Sequence, residues 1–447
     1  MKLNRFFLKA FCSVKDSEYS KYFSKNSVYH QKDKFLFNPR LKDTQEHQDS
    51  PEQIDAKVNQ LLELLQKSKN AVILTGAGVS TASGIPDYRS GANTILKTGP
   101  GKWELEENKK KFLEEKGKPL VIKAINAFPS ATHMAVSKLY KENLIKSVIT
   151  QNVDNLHHQS GIPRKDIHEL HGNIISERCE KCQYVHYRDF YTRLKHLKWG
   201  DQHNTGRICQ RNGCDGQLHD TLVFFGESVL QNIKQSAQEQ IENADLCVVV
   251  GTSLTVQSAA RLVWICQQRG IPIVIINLQK TNYDQKALKI NGLCEPIFDL
   301  ILKKLNLQPK KFTVQREIIL RFQKTGFCSF DLFADCESFD GSHLSAIKQL
   351  EIWYRKENGI EQYSSLEGHP YYFQAEDSFN VDQIKLNFFS NHKEKSHFTY
   401  DKELLQNGQL FSMGSPGSLI FLSSKLVYEF QDQKDEWVAQ HKIDSYK

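Results

Sequence analysis

The sequence predicts an α/β fold: a Rossmann-like parallel sheet interrupted by a small cysteine-rich insert, followed by a C-terminal all-β, sandwich-like domain. Three observations predict it. Short apolar runs alternate with helical stretches between residues 51 and 307. Two cysteine pairs and many charges break that alternation at about 173–222. Beyond residue 310, apolar residues recur at every second position between turns, the period of strands with one buried face.

A first helix begins at Ser50-Pro51-Glu52, where a serine can cap free N–H groups and proline suits the first helical position. Ile54, Val58, Leu61, Leu62 and Leu65 follow at helical spacing. Ala71-Val-Ile-Leu-Thr75 then reads as a buried strand running into Gly76-Ala77-Gly78. Ser147-Val-Ile-Thr150 ends in Gln151-Asn152, Leu246-Cys-Val-Val-Val250 in Gly251-Thr252-Ser253, and Ile271-Pro-Ile-Val-Ile-Ile276 in Asn277-Leu278. Helical stretches at 230–243 and 256–268 lie between such runs. Strands that are apolar throughout, alternating with helices, imply a parallel sheet covered on both faces, with ligands bound at the carboxyl ends of its strands. Gly76, Gln151, Gly251 and Asn277 all fall at such ends. In the last third, Ala346, Lys348, Leu350, Ile352 and Tyr354 alternate with their neighbours, as do Ile384, Leu386 and Phe388. Leu419 to Phe430 is a further strand-like run after the turn Gly414-Ser-Pro-Gly417.

Composition bounds the function classes. The 447-residue chain has a net charge of +7 and a pI near 8.7, mildly basic, which a solvated surface explains as well as an acidic partner does. No apolar run approaches ~18 residues, which excludes a membrane-spanning helix. Residues 1–50 are expected to form a polar extension without a fold of their own. Its start, MKLNRFFLKAFCSVK, suits a disordered basic tail or a mitochondrial presequence. The ten cysteines are not spaced as a disulfide framework. Four of them read Cys179-x2-Cys182, then 26 residues, then Cys209-x4-Cys214. Four thiolates suit tetrahedral zinc and would pin a module too small for its own core. Because all four positions are protein ligands, the metal is expected to be structural. A thiol redox pair is the lesser alternative. Lys181, Arg188, Arg193 and Lys195 suit weak nucleic-acid contact or a solvated face.

Two motifs carry chemistry. In GAGVSTASGIPDYRS, residues 76–90, glycines after a strand let backbone turn sharply and approach a diphosphate. The third glycine is Gly84, which departs from the Gly-x-Gly-x-x-Gly of dehydrogenases and disfavours hydride transfer. In Thr150-Gln-Asn-Val-Asp154, amides and a carboxylate at a strand end can bond a carboxamide and ribose hydroxyls, or simply cap a turn.

These motifs, with Glu169-Leu-His171-Gly-Asn173, the two cysteine pairs, Phe225-Gly226-Glu227, Gly251-Thr-Ser253 and Asn277-Leu278, occur in an order that resembles the sirtuin family of NAD-dependent protein-lysine deacylases. The resemblance covers roughly 50–307. Ser130-Ala-Thr-His133-Met134-Ala135, Thr205-Gly206-Arg207-Ile-Cys209, Gln217-Leu-His-Asp-Thr221 and Asn277-Leu-Gln279 resemble its class IV branch, which includes nuclear and nucleolar members.

The resemblance implies site roles. Gly76, Ala77, Gly78 and Ser80 cradle the NAD diphosphate, and Asp87, Tyr88 and Arg89 close over it. Gln151, Asn152 and Asp154 face the nicotinamide ribose and its pocket, with Asn152 and Asp154 counted among the catalytic groups. Gly251, Thr252, Ser253, Asn277 and Leu278 hold the adenosine half, with Cys294 near the adenine. Phe225, Gly226 and Glu227 belong to a strand that docks the acylated peptide by main-chain bonds, and His171 is the general base. The acyl oxygen would attack the ribose as nicotinamide leaves, giving free lysine and acyl-ADP-ribose. Implied partners are acylated lysines in proteins, histones among them, in the nucleus, with a mitochondrial or cytoplasmic location as alternatives. Mono-ADP-ribosyl transfer on the same site is the first alternative activity, and a chromatin or RNP-binding scaffold the second. The segment after Arg89 carries an insertion relative to that branch, beside the cofactor pocket. The expected layout is an extension at 1–50, a catalytic domain at 51–307 holding the zinc module at 173–222, and a β-rich domain of unknown role at 310–447. Of the neighbouring histidines, His157 and His158 are expected at a helix start, and His168 as a surface or packing residue.

Overall fold

The computed structural model describes residues 45–193, 203–324 and 330–443, apart from short stretches at 105, 212, 357–358, 360, 368–370, 376–378, 393, 395–396, 401–418 and 432–435. The basic N-terminal start, Lys195 and the Gly414–Gly417 turn lie outside the described residues. The end of the expected extension is bound rather than free. The His47 N–H donates to the Leu278 carbonyl and the Asp49 N–H to the Asn291 carbonyl, and Glu46 bridges to Gln279.

Helix α1 (Pro51–Lys67) starts at a reciprocal cap: the Ser50 hydroxyl accepts from the Gln53 N–H, and Gln53 Oε1 accepts from the Ser50 N–H. Its buried residues Val58, Leu61, Leu62 and Leu65 lie on one face. The chain continues through β1 (Ala71–Thr75), helix α2 (Glu106–Lys116), helix α3 (Ala131–Lys141), β2 (Ser147–Thr150), the short helix α4 (Leu156–Gln159) and β3 (Ile167–Glu169). Four short strands follow: β4 (Ser176–Cys179), β5 (Val185–Arg188), β6 (Asn204–Ile208) and β7 (Gln217–Asp220). Then come helix α5 (Gln231–Asn243), β8 (Leu246–Val250), helix α6 (Gln257–Gln268), β9 (Ile273–Ile276), β10 (Leu288–Ile290) and helix α7 (Cys294–Lys304).

Strands β10-β9-β8-β1-β2-β3 form one six-stranded sheet, parallel throughout. Successive strand residues serve opposite faces. Ile73, Val248, Val250, Val274 and Ile276 join α1, α3 and α7 in one apolar cluster. Val72, Leu74, Val249 and Ile275 join α5 and α6 in another. Burial on both sides explains why the central strands read as unbroken apolar runs.

Among the described residues, the last third contributes the strands β11 (Thr313–Lys324), β12 (Phe330–Glu337), β13 (Leu344–Ser345), β14 (Ile347–Lys356), β15 (Glu361–Glu367), β16 (Tyr371–Ala375), β17 (Phe379–Phe388), β18 (His397–Tyr400), β19 (Leu419–Gln431) and β20 (Glu436–Ile443). They form two antiparallel sheets, β16-β12-β11-β19-β20 and β15-β14-β17-β18. Ile318, Leu332 and Leu426 of the first share an apolar cluster with Leu350, Ile384 and Leu386 of the second. The expected alternation from Ala346 breaks at a β-bulge between Ile347 and Gln349, so Ile347 is buried and Lys348 exposed. The tiny strand β13 pairs instead with β5, extending the cysteine-rich sheet to β13-β5-β4-β7-β6.

Candidate functional site

The ladder bonds continue one residue past each central strand. The Gly76 N–H donates to the Val250 carbonyl (3.0 Å), Gln151 to Thr75 (3.0 Å), Gly251 to Ile276 (2.9 Å) and Asn277 to Ile290 (3.2 Å). These four residues therefore stand side by side at the carboxyl edge of the sheet. Past β1 the chain makes two tight turns, Ala77–Val79 and Thr81–Ser83. The Gly78 N–H donates to the Gly251 carbonyl at 2.8 Å. A Cβ at Gly76 would come within 2.6 Å of Thr252 Cβ, and one at Gly78 within 2.7 Å of Gly251 Cα. The two strand-end loops thus interlock backbone to backbone, which only glycine permits.

Asn152, Asp154 and Ser80 form one polar cluster against that loop. Asn152 Nδ2 donates to the Gly76 carbonyl (3.1 Å) and to Ser80 Oγ (3.0 Å). Ser80 Oγ in turn donates to Asp154 Oδ2 at 2.7 Å, and Asp154 Oδ1 accepts from the Leu156 N–H. Asp154 is buried, and that burial pushes its carboxyl pKa up. Beneath the cluster, Thr75 Oγ1 meets Thr150 Oγ1 at 2.9 Å and His157 Nε2 at 2.8 Å.

His171 lies in the turn two residues past the end of β3, and its protonation can be read from its partners. The Gln151 carbonyl, 2.9 Å from Nδ1, can only accept, so Nδ1 carries the hydrogen. Nε2 is then an acceptor, and Ser258 Oγ donates to it at 3.0 Å. Burial pushes the imidazole pKa below its ordinary value, partly offset by the Gln151 carbonyl. The group is a neutral imidazole with a basic nitrogen beside the strand-end loops. Gln151 spans outward, its Nε2 donating to Thr252 Oγ1 at 2.7 Å. Gly172 has φ +75°, and a Cβ there would overlap the Thr221 carbonyl oxygen. The Val223 N–H then donates to the His171 carbonyl (3.0 Å), fixing the 221–223 segment to His171.

The expected docking strand at Thr221–Glu227 is not a strand. Residues 221–224 are irregular and Phe225-Gly226 form a turn. The cause is local: Gly226 has φ +91°, and Glu227 Oε2 accepts from the Phe224 N–H at 2.8 Å, closing the chain on itself. Phe225 is left 65% exposed. Asp87 accepts from the Ser90 N–H and hydroxyl, and burial raises its pKa. The segment after Arg89 folds back on Asp87–Ser90: Gly101 donates to Ser90, Lys102 to Asp87 and Trp103 to Tyr88. Trp103 thereby bridges two predicted stretches, its ring 5.1 Å from Tyr88 and 5.4 Å from Phe225, with the Arg89 guanidinium 5.2 Å above it.

Of the residues assigned to the adenosine half, Thr252 and Asn277 are buried, and Asn277 Nδ2 donates to the Gln279 carbonyl. Ser253 Oγ lies 3.1 Å from Thr255 Oγ1. Leu278 is half-buried. Cys294 begins α7 and is packed in the same apolar cluster as Val79 of the glycine loop.

Cys179, Cys182, Cys209 and Cys214 converge, with all four sulfurs within 4.8 Å of one another. Cys179–Cys214 and Cys182–Cys209 separations are 3.6 and 3.7 Å, too long for disulfides. A tetrahedral metal with bonds of about 2.3 Å needs sulfurs about 3.8 Å apart, so the cluster fits zinc in size and in donor type. A Cβ at Gly216 would meet Cys179 Sγ at 2.5 Å, so the insert's backbone closes directly over the sulfurs.

His157, His158 and His168 are buried. His157 and His158 lie within α4, and His168, in β3, meets Ser236 Oγ at 2.5 Å, a packing role. Ser258 and Trp103 are site residues that sequence reasoning missed. A cavity of 140 Å³ lined by Arg164, Glu169, Gly172, Tyr187, Thr221 and Leu230 includes none of the residues assigned to the cofactor.

Comparison with known proteins accords with this geometry. The model of the Sir2 family matches residues 76–258. The chain is 36% identical to the NAD-dependent protein deacetylase SRT1 of Oryza sativa subsp. indica, over 58% of this chain and 50% of that protein. It is 36% identical to human NAD-dependent protein deacetylase sirtuin-7, over 58% of this chain and 62% of that one. It is 34% identical to an NAD-dependent protein deacetylase of Thermodesulfovibrio yellowstonii, over 51% of this chain and 87% of that protein. The chain therefore spans half to less than two thirds of the first two, and most of the third. The chain belongs to the Sir2 family.

Proposed function

We propose that this protein is an NAD-dependent protein-lysine deacylase, acting on acetyl-lysine in proteins such as histones. The observation that carries the reading is the neutral His171, with Nε2 free of a proton, held through Nδ1 by the carbonyl of Gln151, the residue before Asn152 of the Asn152–Ser80–Asp154 cluster. The strand-end residues suit NAD chemically. Bare backbone at Gly76–Gly78 suits a diphosphate, the carboxamides of Gln151 and Asn152 suit a ribose and a carboxamide, and the Ser253 hydroxyl suits the adenosine half. Bound NAD supplies a ribose carbon activated by its nicotinamide leaving group.

The chain's own residues do the rest. Asp154 stays anchored by Ser80 Oγ and the Leu156 N–H, so Asn152 and Asp154 present fixed polar groups rather than mobile ones. His171 Nε2, which accepts from Ser258 Oγ here, would accept a proton from a ribose hydroxyl of bound NAD, and the Gln151 carbonyl on Nδ1–H would support the resulting imidazolium. Burial keeps that nitrogen unprotonated at neutral pH. Phe225, Gly226 and Glu227 form the turn against which the acylated peptide docks, and the exposed Phe225 ring with Trp103 walls the acyl side.

Zinc at the four cysteines is structural: Cys179, Cys182, Cys209 and Cys214 fill a tetrahedron and leave no position for a reactant. We read the chain as a catalytic unit at 51–307 containing the zinc module at 173–222, and a sandwich-like β unit at 310–447. A nuclear location follows from the class IV resemblance. The test is product identity. Acetylated peptide plus NAD should yield acetyl-ADP-ribose and free lysine. ADP-ribosylated protein in their place would overturn the reading in favour of ADP-ribosyl transfer.

A further inference from the structure

The turn Ser338–Ser342, between β12 and β13, lies against the loops that carry the candidate catalytic residues. It is a built structure: the Ser338 carbonyl accepts from Gly341, Ser342 N–H and Oγ donate to Asp340 Oδ1, and Gly341 has φ +76°. Four of its residues reach α4 and the segment after it. Phe339 stacks on His158 with centroids 4.8 Å apart. His158 Nδ1 donates to the Ile162 carbonyl, so Ser338 Oγ donates to Nε2 at 2.9 Å. Asp340 Oδ2 accepts from the Arg164 N–H at 3.0 Å, and Arg164 Nε donates to Ser342 Oγ at 3.3 Å.

Arg164 transmits this grip. Its guanidinium lies 3.6 Å over the Tyr187 ring, and Nη1 donates to Asn155 Oδ1 at 3.0 Å. Asn155 follows Asp154 and has φ +65°, a conformation that needs support from its surroundings in a residue other than glycine. As the N-terminal flank of α4 it makes no side-chain cap bond. Its Oδ1 instead accepts from Arg164 and from Asn173 Nδ2 at 3.2 Å. Asn173, fully buried, lies two residues past His171, and its N–H donates to Thr221 Oγ1. One oxygen of Asn155 therefore ties the Asn152–Asp154 loop to the His171 turn, and the cation that completes it is held by the C-terminal region. Alongside, β13 pairs with β5 at Tyr187 and Arg188, and Arg188 donates to Ser345 Oγ.

We propose that the Ser338–Ser342 turn of the C-terminal β region is a positioning element for catalysis, acting through Arg164 on Asn155 to set Asn152–Asp154 against His171. This rests on the deacylase reading of those three residues. Arg164, Asn155 and Asp340 touch no reacting atom in this scheme; they act by placing groups that do.

The test uses the full chain with Asp340→Ala and Asp340→Asn, the latter keeping an acceptor for the Arg164 N–H. In the acetyl-peptide assay, Asp340→Ala should lower kcat about 10-fold, with KM for NAD changed less than about threefold, because misplacement acts on the reacting geometry more than on cofactor binding. Asp340→Asn should restore kcat to within about threefold of wild type. Amide hydrogen exchange should quicken at 153–156 and 172–174 in Asp340→Ala and stay unchanged in β8 and β9. Wild-type kcat in Asp340→Ala, an equal loss in both variants, or a loss confined to KM would overturn the proposal. Unchanged exchange at 153–156 and 172–174 would overturn it even if the wild type releases no nicotinamide, a result that would instead sink the deacylase reading.

Discussion

Acidification should weaken this fold through one identifiable histidine. His157 is 3% exposed, its Nε2 is 2.8 Å from Thr75 Oγ1, and burial pushes its pKa from the ordinary 6.5 to about 3. In the unfolded chain the ring takes a proton near pH 6.5; in the folded chain it stays neutral until about pH 3. The folded pKa is depressed, so the stability linked to this group is complete above pH 6.5 and drains as the pH falls toward 3. Each pH unit in that window costs about 1.4 kcal/mol, so a drop from 6.5 to 5.0 costs about 2 kcal/mol. His157→Asn cannot titrate there. Urea unfolding of wild type and variant at pH 7.5 and 5.0 separates this group from all others. The variant should be the less stable protein at pH 7.5, yet lose about 2 kcal/mol less on acidification. Equal losses in the two proteins would refute the buried, neutral state of His157.

Other predictions follow from the site. Burial lowers the pKa of His171, and in the proposed mechanism its neutral form is the base, so kcat should rise with pH along an acid limb whose midpoint lies below about 6.5. A midpoint above 7 in the pH–rate profile would contradict that assignment. Gly172→Ala puts a Cβ onto the Thr221 carbonyl at a φ of +75°. It should cost about 1–2 kcal/mol in urea unfolding from the backbone alone, and about 100-fold in kcat/KM as the 221–223 segment shifts against His171. Full activity in that variant would show the segment to be irrelevant to the base. Metal analysis should find one zinc per chain, lost in Cys209→Ser. Limited proteolysis of the stripped protein should then cut within 173–222 before it cuts the glycine loop, and cleavage elsewhere first would argue against a structural metal.

The parallel sheet is legible in the sequence where burial on both faces makes it so. Strands β1, β8 and β9 are unbroken apolar runs because neither face meets water. The edge strands β3 and β10 are three residues each, Ile-His-Glu and Leu-Lys-Ile, and carry no such signal. Helices α3 and α7 do leave signals that a motif-led reading passes over. Ser130 and His133 form a capping box, and Ile297, Phe298, Ile301 and Leu302 keep helical spacing. The convergence of the four cysteines is legible because their spacing has few other uses. Ser258 is not, since a serine in the first turn of a helix is ordinary. The docking strand fails for a local reason, the Glu227 cap and the Gly226 turn, which outweigh the β-forming run Leu-Val-Phe-Phe. The grip of Asp340 on Arg164 joins residues 176 apart in sequence and depends on tertiary packing alone. His158, without an evident role in the sequence, gains one from the same turn.

The most direct test is nicotinamide release from NAD by wild type and by His171→Tyr, each with and without an acetyl-lysine peptide. The deacylase assignment predicts steady-state, multiple-turnover release that requires the peptide in the wild type and falls by at least about 100-fold in the variant, because without the base the enzyme stalls after nicotinamide has left. Release that ignores the peptide, or that survives loss of His171, would contradict it.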